Sequence, residues 1–154
     1  GSYTGLRIGS SMAKGMAYSL DIPLISVNTL KAMAIGMNKV YESEIDFLVP
    51  LIDARRNEVY CQIFNKDIKP ISKTEALLLD NADFSKLNGK ILFGGDGCQK
   101  WQEQSKNKNN WWFITKNFLS AEYVGKAALT SINKGDFSDI AYFEPNYLKA
   151  FSGR

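Results

Sequence analysis

The chain has 154 residues, 45% of them hydrophobic, a formal net charge of +3 and no histidine. That is enough apolar material for one ordinary domain, or for one lobe plus part of another, and the mild charge carries no basic stripe of the kind that argues for RNA. The missing histidine excludes a Ser-His-Asp or Cys-His nucleophilic site and any histidine-ligated metal. Cys61 and Cys98 are too few and too far apart for a disulfide scaffold or a zinc site. No apolar run reaches membrane-spanning length and no signal-peptide pattern is visible, so a soluble, cytoplasmic protein with no membrane partner is expected.

The first predicted helix runs from about Thr4 to Leu20. Ser2 or Thr4 supplies the capping oxygen, and Asp21-Ile22-Pro23 ends it, because a residue before proline avoids helical geometry. Residues four apart share a helix face. Gly5, Gly9, Ala13 and Ala17 therefore form a row of small side chains, with Ile8, Met12, Met16 and Leu20 as a bulky apolar row beside it. Glycine costs about 1 kcal/mol in a helix interior relative to alanine, so two in one row point to a close packing that compensates. That packing lies either inside the chain's own lobe or against a partner helix, with Arg7 and Lys14 flanking it.

Leu24–Val27 reads as a short buried strand. Asn28 caps a second helix to about Met37, with Leu30, Met33, Ala34 and Met37 on one face, and a polar connection follows from Asn38 to Glu44. Phe47–Ile52 is a strand ending at Asp53, a turn follows at Ala54–Asn57, and Glu58–Phe64 alternates as a second strand. A turn at Asn65–Asp67 leads to a third strand over Ile68–Ser72. A short helix is predicted near Ala82–Leu87, a strand over Lys90–Phe93, a break at Gly94-Gly95-Asp96-Gly97, then a helix carrying Trp101. Lys106–Asn110 reads as a solvated loop, Trp112–Ile114 as a fifth strand, and Ser120 caps a last helix to about Asn133, closed by Gly135.

Three antiparallel strands followed by alternating helices and strands specify one mixed sheet covered by helices. This is the order of the ribonuclease-H-like unit used twice in actin-like ATPases. The expected fold is α/β: a five-stranded mixed sheet with helices, plus an incomplete first lobe. The expected division is 1–44 as a remnant of the first lobe, 45–140 as the second lobe and 141–154 as a tail.

The words along the chain then resemble the TsaB family, also called YeaZ. They are Ser2-Tyr3-Thr4-Gly5-Leu6-Arg7-Ile8-Gly9 with Ala13-Lys14-Gly15; Ile22–Val27 with Thr29-Leu30; Asp53-Ala54-Arg55 with Glu58-Val59-Tyr60; and Glu144-Pro145 with Tyr147-Leu148. The resemblance implies a subunit of the bacterial machinery that puts threonylcarbamoyl on adenosine beside the tRNA anticodon. It implies a non-catalytic scaffold that pairs with the catalytic subunit TsaD through first-lobe helices, with TsaE joining with ATP and tRNA reached indirectly. A homodimer is the other association it allows. No cofactor is expected on this chain alone. The absence of histidine fits the TsaB side, since TsaD carries metal-binding histidines. Two departures stand out: the family's opening strands with their Asp-Thr-Ser segment do not precede Gly1, and Lys149 stands where arginine is usual. A chain lacking those strands is expected to leave residues 1 to about 40 either paired with a second copy or poorly ordered.

The candidate interface is Gly5, Arg7, Ile8, Gly9, Met12, Ala13, Met16, Ala17 and Leu20. Thr4, Lys14, Asp53, Arg55, Glu58, Tyr60, Glu144 and Tyr147 carry the family words with no role fixed by spacing. The helix start is either a simple cap or a phosphate cradle, although it lacks P-loop spacing. Asp53–Arg56 is an ion-paired hairpin or a ligand clamp, and Gly94–Gly97 a tight turn or a nucleotide loop. Trp111-Trp112 either straddles core and surface or stacks on a base. The alternative to a scaffold is a degenerate actin-like nucleotide-binding enzyme, or a peptidase of the glycoprotease-like type.

Overall fold

The computed structural model describes residues 2–41, 44–106 and 108–149. Gly1, the middle of the expected polar connection at 42–43, Asn107 and the end of the tail at 150–154 lie outside the described residues. The elements are α1 (Tyr3–Leu20), α2 (Thr29–Val40), β1 (Phe47–Asp53), β2 (Glu58–Cys61), β3 (Phe64–Asn65), β4 (Glu75–Leu78), β5 (Ile91–Gly94), α3 (Cys98–Gln104), β6 (Trp111–Ile114) and α4 (Ala121–Lys134). By contact they fall into two compact units, residues 28–127 and residues 1–27 with 128–154.

The larger unit is built on one sheet with the path β4-β2-β1-β5-β6, and β3 also pairs with β1. β1 runs antiparallel to β2, with Leu51 opposite Cys61, and parallel to β5, with Leu48 opposite Leu92; β5 runs parallel to β6. Counting β2 and β3 as one interrupted line gives the spatial order 3-2-1-4-5, a mixed sheet that opens with antiparallel strands as the sequence predicts. The interruption at Gln62–Ile63 has a local cause. Ser72 Oγ accepts the Ile63 N–H at 2.9 Å, and the Gln62 side chain donates to the Ser72 carbonyl at 2.9 Å.

Side chains alternate across this sheet as the pleat requires. Leu48, Phe64 and Leu92 face α2, where they bury Leu30, Met33, Ala34 and Met37 together with Phe118. Val49, Leu51, Ile91 and Phe93 face the other way, onto Phe84, Cys98 and Trp101. The two tryptophans at the start of β6 split between these layers, Trp111 against the second and Trp112 against the first.

Three elements differ from the sequence reading. The third strand is not Ile68–Ser72, where only a bridge between Phe64 and Pro70 forms; Pro70 has no N–H to continue a ladder. The third strand is β4, which pairs with β2. Its Glu-Ala-Leu-Leu sequence reads as helix former, and the open edge of β2 overrides that propensity. In place of a helix at Ala82–Leu87 there is a single 3-10 turn at Leu79–Asn81.

α2 is a further correction to the expected architecture. Its apolar face is buried on this sheet rather than left open, so the units do not divide at 1–44, 45–140 and 141–154. The physical reason is plain from its sequence: Leu30, Met33, Ala34 and Met37 recur at helical spacing, and β1 and β5 supply a complementary face. Residues 28–40 are therefore ordered by their own chain, not by a second copy.

In the smaller unit, α1 is capped by Ser2, whose Oγ accepts the Gly5 N–H at 3.1 Å; Thr4 is not the cap. α1 stops at Asp21 in left-handed geometry, φ 51°. The expected strand Leu24–Val27 is a single bridge from Leu24 to Ser138.

Candidate functional site

α1 is inside out. Ile8, Met12, Met16 and Leu20 are 64%, 65%, 53% and 62% exposed, an apolar ridge facing solvent along the whole helix. Gly5, Gly9 and Ala13 beside it are exposed as well, and only Ala17 of the small row is buried. A Cβ placed on Gly9 meets nothing within 4 Å. The glycine is therefore not needed for any close approach among the described residues.

At about 100° per residue, Tyr3, Arg7, Ser10 and Lys14 centre on the opposite side of the helix from that ridge. This polar side is the better covered one: Tyr3, Ser10 and Lys14 are half-buried, while Arg7 stays exposed. Lys14 Nζ donates to the carbonyl oxygens of Ala141 and Phe143, both at 3.1 Å. Tyr3 stacks on Tyr147 with ring centroids 4.7 Å apart and planes 1° from parallel, and its hydroxyl donates to the Lys149 carbonyl. Arg7, Ser10, Ser11 and Lys14 share a cavity of about 320 Å³ with Phe143, Glu144, Pro145 and Tyr147. The sequence reading has Arg7 and Lys14 flanking the small row; the structure turns both toward the C-terminal segment instead. The Glu144-Pro145 and Tyr147 words mark that segment in the sequence, but nothing in their spacing names α1 as its support.

Asp53, at the end of β1, organises the turn that follows. Burial pushes its carboxyl up, but hydrogen bonds from Lys100 Nζ at 2.6 Å and the Arg55 N–H at 2.7 Å outweigh this and hold it below the usual range. Lys100 also donates to the Arg56 carbonyl at 2.8 Å, and Asp96 accepts the Asp53 N–H at 2.9 Å. The expected ion pair is thus Asp53–Lys100, reached across the sheet end, and not Asp53–Arg55. Arg55 and Arg56 both sit at positive φ, 66° and 50°. Glu58 and Tyr60 are half-buried on β2, alternating with buried Val59 and Cys61.

The glycine loop packs closely on the sheet. A Cβ on Gly95 would lie 2.3 Å from the Leu51 carbonyl oxygen, and one on Gly97 would lie 2.9 Å from Val59 Cγ1. These glycines let the loop press on β1 and β2, which is the tight-turn reading. No group of three histidine, cysteine, aspartate or glutamate side chains that could hold a metal occurs among the described residues. Burial pushes the Cys61 thiol up to about 12 and the Cys98 thiol up to about 11, so neither is a ready nucleophile at neutral pH. No helix among the described residues is long and apolar enough to cross a membrane.

A family model described as TsaD, tRNA N6-adenosine threonylcarbamoyltransferase, matches residues 1–143. The tRNA threonylcarbamoyladenosine biosynthesis protein TsaB of Escherichia coli K12 is 34% identical over 97% of this chain and 67% of that relative. The chain belongs to the TsaB family. TsaB of Bacillus subtilis is 42% identical over 42% of this chain and 26% of its own length. YeaZ from Pseudomonas aeruginosa superposes with a TM-score of 0.78 over 96% of this chain and 70% of that one, at 21% identity. That likeness shows the fold, and agrees with the ribonuclease-H-like strand order of the larger unit. The TsaB words fall on very different settings here: a solvent-facing helix, a latched turn, and a C-terminal segment lying on α1.

Proposed function

We propose that this chain is a non-catalytic scaffold subunit of the bacterial complex that installs threonylcarbamoyl on adenosine next to the tRNA anticodon. In this reading it docks the catalytic TsaD subunit through α1. TsaE joins the assembly with ATP, and tRNA is held by the complex rather than by this chain. No cofactor is assigned to the chain alone. One observation carries the reading: a helix of 18 residues that exposes its apolar ridge while Tyr3, Ser10 and Lys14 on its polar side are half-buried. Such a surface stays in water only at a cost, and a helix with a glycine row offers a partner helix close approach. The histidine-free sequence supports a scaffold over an enzyme.

The test is titration of the TsaD subunit from the same organism into the whole chain, read by calorimetry and size-exclusion chromatography. A stoichiometric complex is expected, with Met12→Asp abolishing it while circular dichroism stays unchanged. No complex, or an unaffected Met12→Asp variant, would sink the docking surface. ATP hydrolysis or glycoprotein cleavage by the isolated chain would favour the degenerate-enzyme alternative. A Met12→Asp-sensitive dimer without TsaD binding would make α1 a homodimer face.

A further inference from the structure

We infer that the C-terminal segment Ser138–Lys149 is the element that sets α1 in its docking orientation, and that Lys14, Tyr3 and Tyr147 are positioning residues for partner binding although none lies on the docking ridge. The inference rests on the reading of α1 as a docking helix. The segment holds α1 from behind at both ends. Near the helix start, the Tyr3 ring lies flat on Tyr147 and the Tyr3 hydroxyl reaches the Lys149 carbonyl. Three turns further on, Lys14 bridges two carbonyls, those of Ala141 and Phe143. Beyond the helix, the Ser138 N–H donates to the Leu24 carbonyl at 2.8 Å and its Oγ donates to Ser26 Oγ at 2.8 Å. The chain on both sides of Asp21 is thus tied to one strap. Within the strap, Asp139 Oδ1 accepts the Ala141 N–H at 2.8 Å and the Tyr142 N–H at 3.1 Å, fixing the turn that aims both carbonyls at Lys14.

The geometry explains why a docking helix needs such a device. A helix that shows its apolar ridge to solvent has given up the usual means of fixing its own orientation, burial of that ridge. Its polar side then has to be held by directed contacts. A charged donor on two carbonyls and a stacked aromatic pair are such contacts, and they define both rotation and tilt of the ridge. A partner binding an untethered helix has to order it first, and that cost appears as lost affinity.

The experiment compares TsaD binding and hydrogen exchange for four variants of the whole chain. Lys14→Met removes both carbonyl contacts, and Tyr147→Ala removes the stack. Each is expected to weaken TsaD binding about tenfold and to speed exchange of α1 amides, with the sheet amides of β1 and β5 unchanged. Lys14→Arg, which keeps a charged donor, is expected to restore most of the affinity; a general loss of folding would not be rescued this way. Met12→Asp reports on the docking surface itself. Loss with Met12→Asp but wild-type affinity in Lys14→Met and Tyr147→Ala overturns the strap and leaves the docking reading standing. Wild-type affinity in Met12→Asp overturns the docking reading instead. Weakened binding with unchanged α1 exchange also overturns the strap, since those side chains would then touch the partner directly.

Discussion

Gly9→Ala separates packing within the chain from packing against a partner, because the two make opposite predictions for one methyl group. A Cβ at Gly9 meets nothing within 4 Å, so the folded chain accepts it without strain. Alanine is favoured over glycine in a helix interior by about 0.8–1.0 kcal/mol. For a protein of this size such a gain raises the melting temperature by about 2–4 °C. If α1 receives a partner helix along the Gly5-Gly9-Ala13 row, the same methyl sits in the contact. Overpacking a close contact costs about 1–3 kcal/mol, so TsaD should bind about 5- to 150-fold more weakly. Gly125→Ala on α4 is the internal control. Its Cβ also meets nothing within 4 Å and it lies off α1, so it should give the same stability gain with no change in affinity. Thermal melts followed at 222 nm and calorimetric titration with TsaD give both numbers. The reasoning fails if Gly9→Ala is stabilised and binds as tightly as the wild type, or if Gly125→Ala loses as much affinity.

Gly36 behaves in the opposite way, since its Cβ would lie 2.5 Å from the Tyr123 ring. Gly36→Leu should lower stability by about 2 kcal/mol or more, and Tyr123→Ala in the same chain should recover part of it in urea melts. The two thiols are predicted to resist labelling by an aromatic disulfide at pH 8 until the larger unit unfolds, and labelling of the native chain within seconds would contradict their burial. Because their folded values are raised to about 12 and about 11 from 9.0, their contribution is fully present below pH 9 and is lost as pH rises through that window. Alkaline melts of Cys61→Ala should therefore show a weaker decline than the wild type. Glu122 is held down at about 2 by hydrogen bonds from Lys126 and then Lys39. Whatever it adds is present above its ordinary 4.5 and lost as pH falls toward 2, so Glu122→Gln should flatten the acid side of the stability curve.

The sequence alone determined whatever depends on neighbours along the chain. Asn28 as a capping residue, the ends of β1 and of α4, and a mixed sheet that opens with antiparallel strands follow from periodicity, caps and turn residues. The bare row and bulky ridge of α1 were equally plain, because side-chain spacing on a helix is fixed by its pitch. Tertiary structure decided what those faces meet. Glu75–Leu78 became a strand because the edge of β2 offers unpaired backbone groups, a term that outweighs local propensity and that no window of sequence contains. Two helices with apolar faces of similar strength met opposite fates: α2 buries its face on Leu48 and Leu92, while α1 turns its ridge outward. What separates them is the polar side. Lys14 and Tyr3 find carbonyls and a ring more than 120 residues away in sequence, and only the folded chain brings those partners within hydrogen-bonding and stacking distance.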